Sequence, residues 1–251
     1  MNEVSDFKKN NLFQKYIFKN EIINNIKNFF IDYFNYNDEL DEIHNILSNN
    51  KFNNVDDLKY FHNLSILGKN DRNNIFINEF HQYIDKNYEF NYLYLKFIKE
   101  YIKPLFNNKK IVFQKTPNIR MSLPNLTAIG KYEDNENFEI IGLHKDSDFG
   151  HIEDEINFII PITKMFNTNS IYFEKSINSN DLIDNYQTLK LNENEFFRGY
   201  FNQIKHCNKI NLTDKTRISF DMRVILYDDY IKNIDKIKNT KFELGKYFVL
   251  L

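Results

Sequence analysis

Hydrophobic and polar positions follow two different rhythms along this 251-residue chain, and the change falls near residue 108. From about residue 20 to 106 apolar residues recur every three or four positions. In NEIINNIKNFFIDYF, Ile22, Ile23, Ile26, Phe29, Phe30, Tyr33 and Phe34 fall on one face of a helix. DELDEIHNIL reads as a second helix, NDRNNIFINEFHQYIDKN as a third and EFNYLYLKFIKEYIKPLF as a fourth, which should end near Pro104. After Asn108 come short runs with period two or continuous β-branched character, divided by Asn, Asp, Gly and Pro. The candidate strands are IVFQKT, NLTAIGKYE, FEIIGLH, EINFIIPIT, SIYFEKS, YQTLKL, FFRGYFNQIKH and TRISFDMRVILY. With no helical pattern between them, they point to an antiparallel sandwich or barrel.

Neither an internal repeat nor a Ser/Gly linker separates the two textures. The expectation is therefore one compact α+β unit with a mainly β core, in which a helical region 1–108 packs on one sheet of a strand-rich region 109–251.

Composition narrows the partners. Hydrophobic residues make up 42% and aromatics 16%, without tryptophan, so a core of Phe, Tyr and Ile is expected. A net charge of −2 lacks the one-sided basic field that phosphate contacts require, which argues against a nucleic-acid partner. No stretch of about 20 apolar residues suggests a membrane span. Cys207 is the one cysteine, which excludes an internal disulfide and a multi-cysteine zinc or iron–sulfur site and fits a reducing cytoplasm. The end of the chain, DDYIKNIDKIKNTKFELGKYFVLL, reads as a helix and a docking strand or a homodimer contact.

Candidate chemistry gathers in GLHKDSDFGH, residues 142–151. In extended backbone, residues two apart point the same way, so His144 and Asp146 would be presented together while Lys145 faces away. A third ligand would complete one face of an octahedral ion, and His206 is the best candidate. Two neutral imidazoles and one carboxylate suit Fe(II) with open positions, whereas zinc more often takes three nitrogens or sulfurs. Eleven residues beyond His206, Arg217 and Ser219 share one side of a strand that should otherwise be apolar. A buried guanidinium demands an anion, and a dicarboxylate co-substrate supplies one: its far carboxylate takes Arg217 and Ser219 while its keto-acid end meets the metal.

The order His144-x-Asp146, His206, Arg217, Ser219 resembles the 2-oxoglutarate- and Fe(II)-dependent oxygenases. The texts FQKTPNIRMSLPN, GLHKDSDFGHIEDEINFIIPIT and HCNKINLTDKTRISFDMRV are similar to the branch associated with streptomycin biosynthesis and carbohydrate gene clusters, over about residues 111–226. What the resemblance implies is a double-stranded β-helix, or jelly-roll, with Fe(II) held by His144, Asp146 and His206 at one open end and 2-oxoglutarate anchored by Arg217 and Ser219. It further implies O2-dependent oxidation, most simply hydroxylation, of a small polar metabolite such as a sugar or aminocyclitol, with release of succinate and CO2. By the same likeness His144 and Asp146 end the second core strand, His206 lies on the seventh and Arg217 on the eighth.

Rival readings stay in view. His151-x-Glu153 is a second pair with metal-ligand spacing, though it follows a loop. Asn157 either binds the co-substrate or substrate or is a structural amide. Gln114 and Arg120 either touch an anionic or hydroxylated substrate or, for Arg120, form a surface ion pair. Arg223 is expected to pair with Asp221 or another acid, Cys207 to pack, and His44, His62 and His81 to be capping or partly exposed residues. The alternative functions are a catalytically silent jelly-roll and a cupin-type metal isomerase or zinc hydrolase, in which Arg217 would lack its dicarboxylate.

Overall fold

The computed structural model describes residues 13–34, 39–47, 75–124, 141–177 and 185–251. The expected strand NLTAIGKYE and His62 lie outside them. Two antiparallel sheets face one another. The larger contains β1 (Phe13–Ile17), β2 (Ile111–Gln114), β3 (Asn118–Ser122), β5 (Ile156–Pro161), β8 (Glu195–Gly199), β10 (Arg217–Leu226) and β11 (Phe248–Leu250), in the order β1-β8-β5-β10-β2-β11 with β3 also on β10. The smaller, ordered β4-β9-β6-β7, contains β4 (Ile141–His144), β6 (Ile171–Glu174), β7 (Tyr186–Thr188) and β9 (His206–Asn208).

Helices cover the outer face of the larger sheet. The first, α1 (Asn20–Phe34), follows the 3.6-residue stripe read above, and Ile22, Ile23, Ile26, Phe29 and Phe30 are buried. After a short 3₁₀ turn (Leu40–Glu42) come α2 (His44–Leu47), α3 (Ile75–Lys86) and α4 (Tyr88–Phe97). Asn87 caps α4 by accepting from the Phe90 N–H at 2.9 Å, and the Tyr94 hydroxyl ties the helix to the sheet by donating to the Gln114 carbonyl at 2.9 Å. The helical run ends close to Pro104, two residues beyond it. It passes through a π turn (Ile98–Ile102) and a 3₁₀ turn (Lys103–Phe106) and is capped at Asn107, whose φ of 52° is left-handed. Proline fits there because it lies in the first positions of the 3₁₀ turn, where its missing N–H costs little.

Several other elements depart from the sequence reading. The first described residues form a strand, β1, paired with β8, so the N-terminal region contributes to the sheet as well as covering it. NIRMS forms β3. FFRGYFNQIKH is two strands, β8 and β9, because the chain turns at Tyr200, whose carbonyl accepts from the N–H groups of Gln203 and Ile204, both at 3.0 Å. At the end of the chain, α5 (Tyr227–Lys232) and α6 (Ile234–Ile237) precede β11, which docks beside β2.

The central strand β10 decides where the site lies. Ile218, Phe220, Met222 and Val224 join the helix-side core, where the ring of Phe220 lies 5.7 Å from Phe30 and 5.5 Å from Phe90. Alternation puts Arg217, Ser219, Asp221 and Arg223 on the other face, toward the smaller sheet. There a second core of Ile159, Ile171, Phe173, Phe197, Phe201 and Ile204 fills part of the space between the sheets, and a cleft occupies the rest.

Candidate metal centre and adjoining cleft

His144 and His206 are direct cross-strand partners on β4 and β9, and their ring centroids lie 4.3 Å apart. Lys145 is extended (φ −103°, ψ 148°), so Asp146 returns to the same side as His144 before the chain enters a 3₁₀ turn, Asp146–Phe149. That turn is closed at its start by Asp148, which accepts from the Lys145 N–H at 2.8 Å, and at its end by Gly150 at φ 83°. Asp146 Oδ1 lies 3.9 Å from His144 Nε2 and 3.8 Å from His206 Nε2, and the three ligand atoms all fall within 4.8 Å of one another. These gaps exceed hydrogen-bond lengths. Ligands on one face of an ion lie roughly 3 Å apart, so the gap is close to what a shared cation fills.

The protonation states suit that role. His206 Nδ1 is 3.2 Å from the Ile204 carbonyl, to which it donates, leaving the Nε2 lone pair aimed at the cluster. Burial lowers the His206 pKa to about 4, against the attraction of Asp146, so the ring is neutral at pH 7. Burial alone would raise Asp146, but Arg223, His206, His151 and the Asn157 amide hold it well below the ordinary carboxylate range. One anion and neutral imidazole are the forms a divalent metal requires.

A cleft of about 410 Å³, open mouth included, adjoins the cluster and is lined by His144, His206, Asn208, Arg217, Ser219 and Asp221 together with Arg120, Ile159, Ile171 and Phe201. Arg217 is 1% exposed; its Nη1 donates to Asn208 Oδ1 at 3.2 Å, and its Nε has no partner. Among the described residues no carboxylate reaches it within ion-pair distance. Burial, with Arg120 adding repulsion, lowers its pKa to about 9. Ser219 Oγ and Asp221 Oδ1 are likewise buried without a partner. Such groups are costly in a dry interior unless something supplies the missing bonds, and for a guanidinium beside a hydroxyl that something is an anion.

Three comparisons set this geometry beside known proteins. No family model matches the chain. It is 26% identical over 141 residues to the streptomycin biosynthesis protein StrG of Streptomyces griseus, an alignment covering 55% of this chain and 59% of that protein. The match thus spans less than two thirds of its relative's length. Among solved structures it is similar to a nickel complex of the non-heme monooxygenase ThoJ, at 10% identity and a TM-score of 0.39, over 50% of this chain and 49% of that one. A second is the non-heme alpha ketoglutarate dependent carbocyclase SnoK from nogalamycin biosynthesis, at 11% identity and a TM-score of 0.40, over 68% and 74%.

The remaining residues singled out from sequence fall as follows. Asn157 is bonded on both sides, its amide donating to Asp146 Oδ2 at 2.7 Å and its carbonyl oxygen accepting from the Phe201 N–H at 3.2 Å, which are the contacts of a structural amide, one of its two readings. Arg120 lies at the cleft and donates to Asp221 Oδ2 at 3.3 Å, whereas Gln114 is buried and donates to the Thr116 carbonyl at 2.8 Å. His151 contacts Glu155 at 2.6 Å instead of joining Glu153, and His144, Asp146 and His206 form the three-ligand group found among the described residues. The His151 ring also packs against Phe242, tilted by 53° with centroids 4.5 Å apart, so His151 and Glu155 form a packed polar pair. The acid that Arg223 meets most closely is Asp146, 2.7 Å away, while Asp221 is 3.8 Å away. His44 Nδ1 meets Thr216 Oγ1 at 2.9 Å, and Cys207 is buried, its thiol pushed up to about 12.

Sequence reading missed Phe201, as it did Asn208, Ile159 and Ile171. The Phe201 ring stacks on His206 at 4.5 Å, and the Phe201 carbonyl accepts from the Asp146 N–H at 2.8 Å.

No helix among the described residues is long and apolar enough to cross a membrane.

Proposed function

We propose that this chain is a 2-oxoglutarate- and Fe(II)-dependent oxygenase, with His144, Asp146 and His206 as the iron ligands and Arg217 and Ser219 as the anchor for the co-substrate's far carboxylate. In this reading the two facing sheets are those of a double-stranded β-helix. The observation that carries it is that a cluster of three metal-ligand side chains opens onto the same cleft as a buried guanidinium that, among the described residues, has no carboxylate within ion-pair distance. Two imidazoles plus one carboxylate fit Fe(II). The unpartnered Arg217 Nε and Ser219 Oγ fit a carboxylate that accepts from both.

When bound, Fe(II) with 2-oxoglutarate and O2 supplies the oxidising power to hydroxylate an unactivated C–H bond, with release of succinate and CO2. The protein's own contribution is placement. Arg217 and Ser219 fix one end of the co-substrate; the Ile204 carbonyl and the Phe201 ring fix the His206 plane. Ile159, Ile171 and Phe201 give the cleft apolar walls that exclude water. Arg120, Asn208 and Asp221 make the rest of the lining polar, and similarity to a streptomycin biosynthesis protein supports a small polar metabolite as substrate.

The test is Fe(II)-dependent conversion of 2-oxoglutarate to succinate by the purified protein under air, followed by NMR. Even without the true substrate, slow uncoupled turnover is expected in wild type and none in Asp146→Ala. Succinate formation that survives Asp146→Ala would overturn the assignment of the ligands.

A further inference from the structure

Asp146 makes two kinds of contact, one with each oxygen. Oδ1 faces the two imidazoles at 3.8 and 3.9 Å. Oδ2 takes Arg223 Nη2 at 2.7 Å, Arg223 Nε at 3.2 Å and Asn157 Nδ2 at 2.7 Å. An arginine–carboxylate pair usually gives each N–H its own oxygen. Here both guanidinium donors and an amide converge on one oxygen, which has no acceptor capacity left, while the other is kept clear.

The convergence is built into the sheet. Arg223 on β10 and Asn157 on β5 are direct register partners, so their side chains leave adjacent points of the same face and reach Asp146 together. Arg223 is itself held from behind by Tyr247 Oη at 3.3 Å, Glu155 Oε2 at 3.7 Å and Asp221 Oδ2 at 3.8 Å. Asn157 is held by the Phe201 N–H.

We infer that Arg223 and Asn157 are positioning residues that reserve Asp146 as a one-oxygen ligand. A carboxylate that bound through both oxygens would occupy a further coordination position. That position is one of the three an oxygenase must leave open for co-substrate and O2. The inference rests on the metal-site reading above and concerns what the carboxylate contributes to it.

Mn(II) is a suitable probe, because water-proton relaxation per bound ion reports how many waters the ion keeps. Wild type, Arg223→Lys, Asn157→Ala and Asp146→Ala would be titrated with Mn(II), with circular dichroism to establish folding. Lysine keeps the charge but cannot send two donors to one oxygen. In Arg223→Lys the second oxygen displaces a water, so relaxation per bound Mn(II) falls by about a third, from three open positions to two. Asn157→Ala gives a smaller fall in the same direction and carries the test if the lysine variant does not fold. Unchanged relaxation per bound ion in the folded variants overturns the inference and leaves the metal site standing. Equal Mn(II) binding by wild type and Asp146→Ala removes the metal site itself, and the inference with it.

Discussion

The two faces of β10 are equally buried and are built on opposite terms. Toward the helices it presents Ile218, Phe220, Met222 and Val224; toward the smaller sheet it presents Arg217, Ser219, Asp221 and Arg223. The first face accounts for itself, since apolar area removed from water and close aromatic packing stabilise the fold without any partner from outside. The second does so only in part. Arg223 meets Asp146, but among the described residues Arg217 bonds one amide oxygen, and Ser219 Oγ and Asp221 Oδ1 have no hydrogen-bond partner. A face that is dry, polar and incompletely bonded is arranged for a ligand, whereas a dry apolar face is arranged for stability.

That contrast can be broken by substitutions one position apart in facing. Phe220→Ala should lower stability by about 3–5 kcal/mol in denaturant unfolding. Arg217→Met should leave the stability of the unliganded protein equal or higher, because an unpaired buried charge is removed. It should weaken 2-oxoglutarate binding by about 2–5 kcal/mol, or roughly 30-fold to several-thousand-fold in calorimetry. If Arg217→Met destabilised the protein as much as Phe220→Ala and bound 2-oxoglutarate normally, the faces would not differ in kind.

A smaller effect comes from His206. Its folded pKa is about 4 against an ordinary 6.5, so between those values the unfolded chain takes up a proton that the folded chain refuses. Stability of the metal-free protein should therefore fall as pH drops through that window, by at most about 3 kcal/mol. The depressed Asp146 carboxyl adds a further loss at lower pH. His206→Gln should flatten the upper part of the profile; an unaltered slope would assign it to other groups. The smallest effect is expected for Ser219→Ala, about 1 kcal/mol or some five-fold in 2-oxoglutarate affinity, with the stability of the unliganded protein equal or slightly higher.

Much of this was legible from residue order where local periodicity and tertiary role agree. The stripe of α1 and the alternation of β10 are set by the same residues that build the core, and the His144–Asp146 spacing holds because Lys145 is extended. Reading failed where apolar residues pack in a turn. Tyr200, Phe201 and Ile204 continue the pattern of a strand through FFRGYFNQIKH, yet they are buried at the bend between β8 and β9. β1 escaped notice because in FQKYI the edge strand leaves Gln14, Lys15 and Ile17 exposed, which blurs any alternation. The Arg223–Asp146 pair joins residues 77 positions apart, and only the register of β10 against β5 brings Asn157 into it. A nearer acid, Asp221, was the obvious partner from sequence.

The most direct measurement is anaerobic addition of Fe(II) and then 2-oxoglutarate to the purified protein while visible absorption is recorded. The account predicts a weak metal-to-ligand charge-transfer band in wild type, absent in His144→Ala and requiring much more 2-oxoglutarate in Arg217→Met. A folded wild-type protein that gives no band, or a His144→Ala variant that gives the same one, would contradict it.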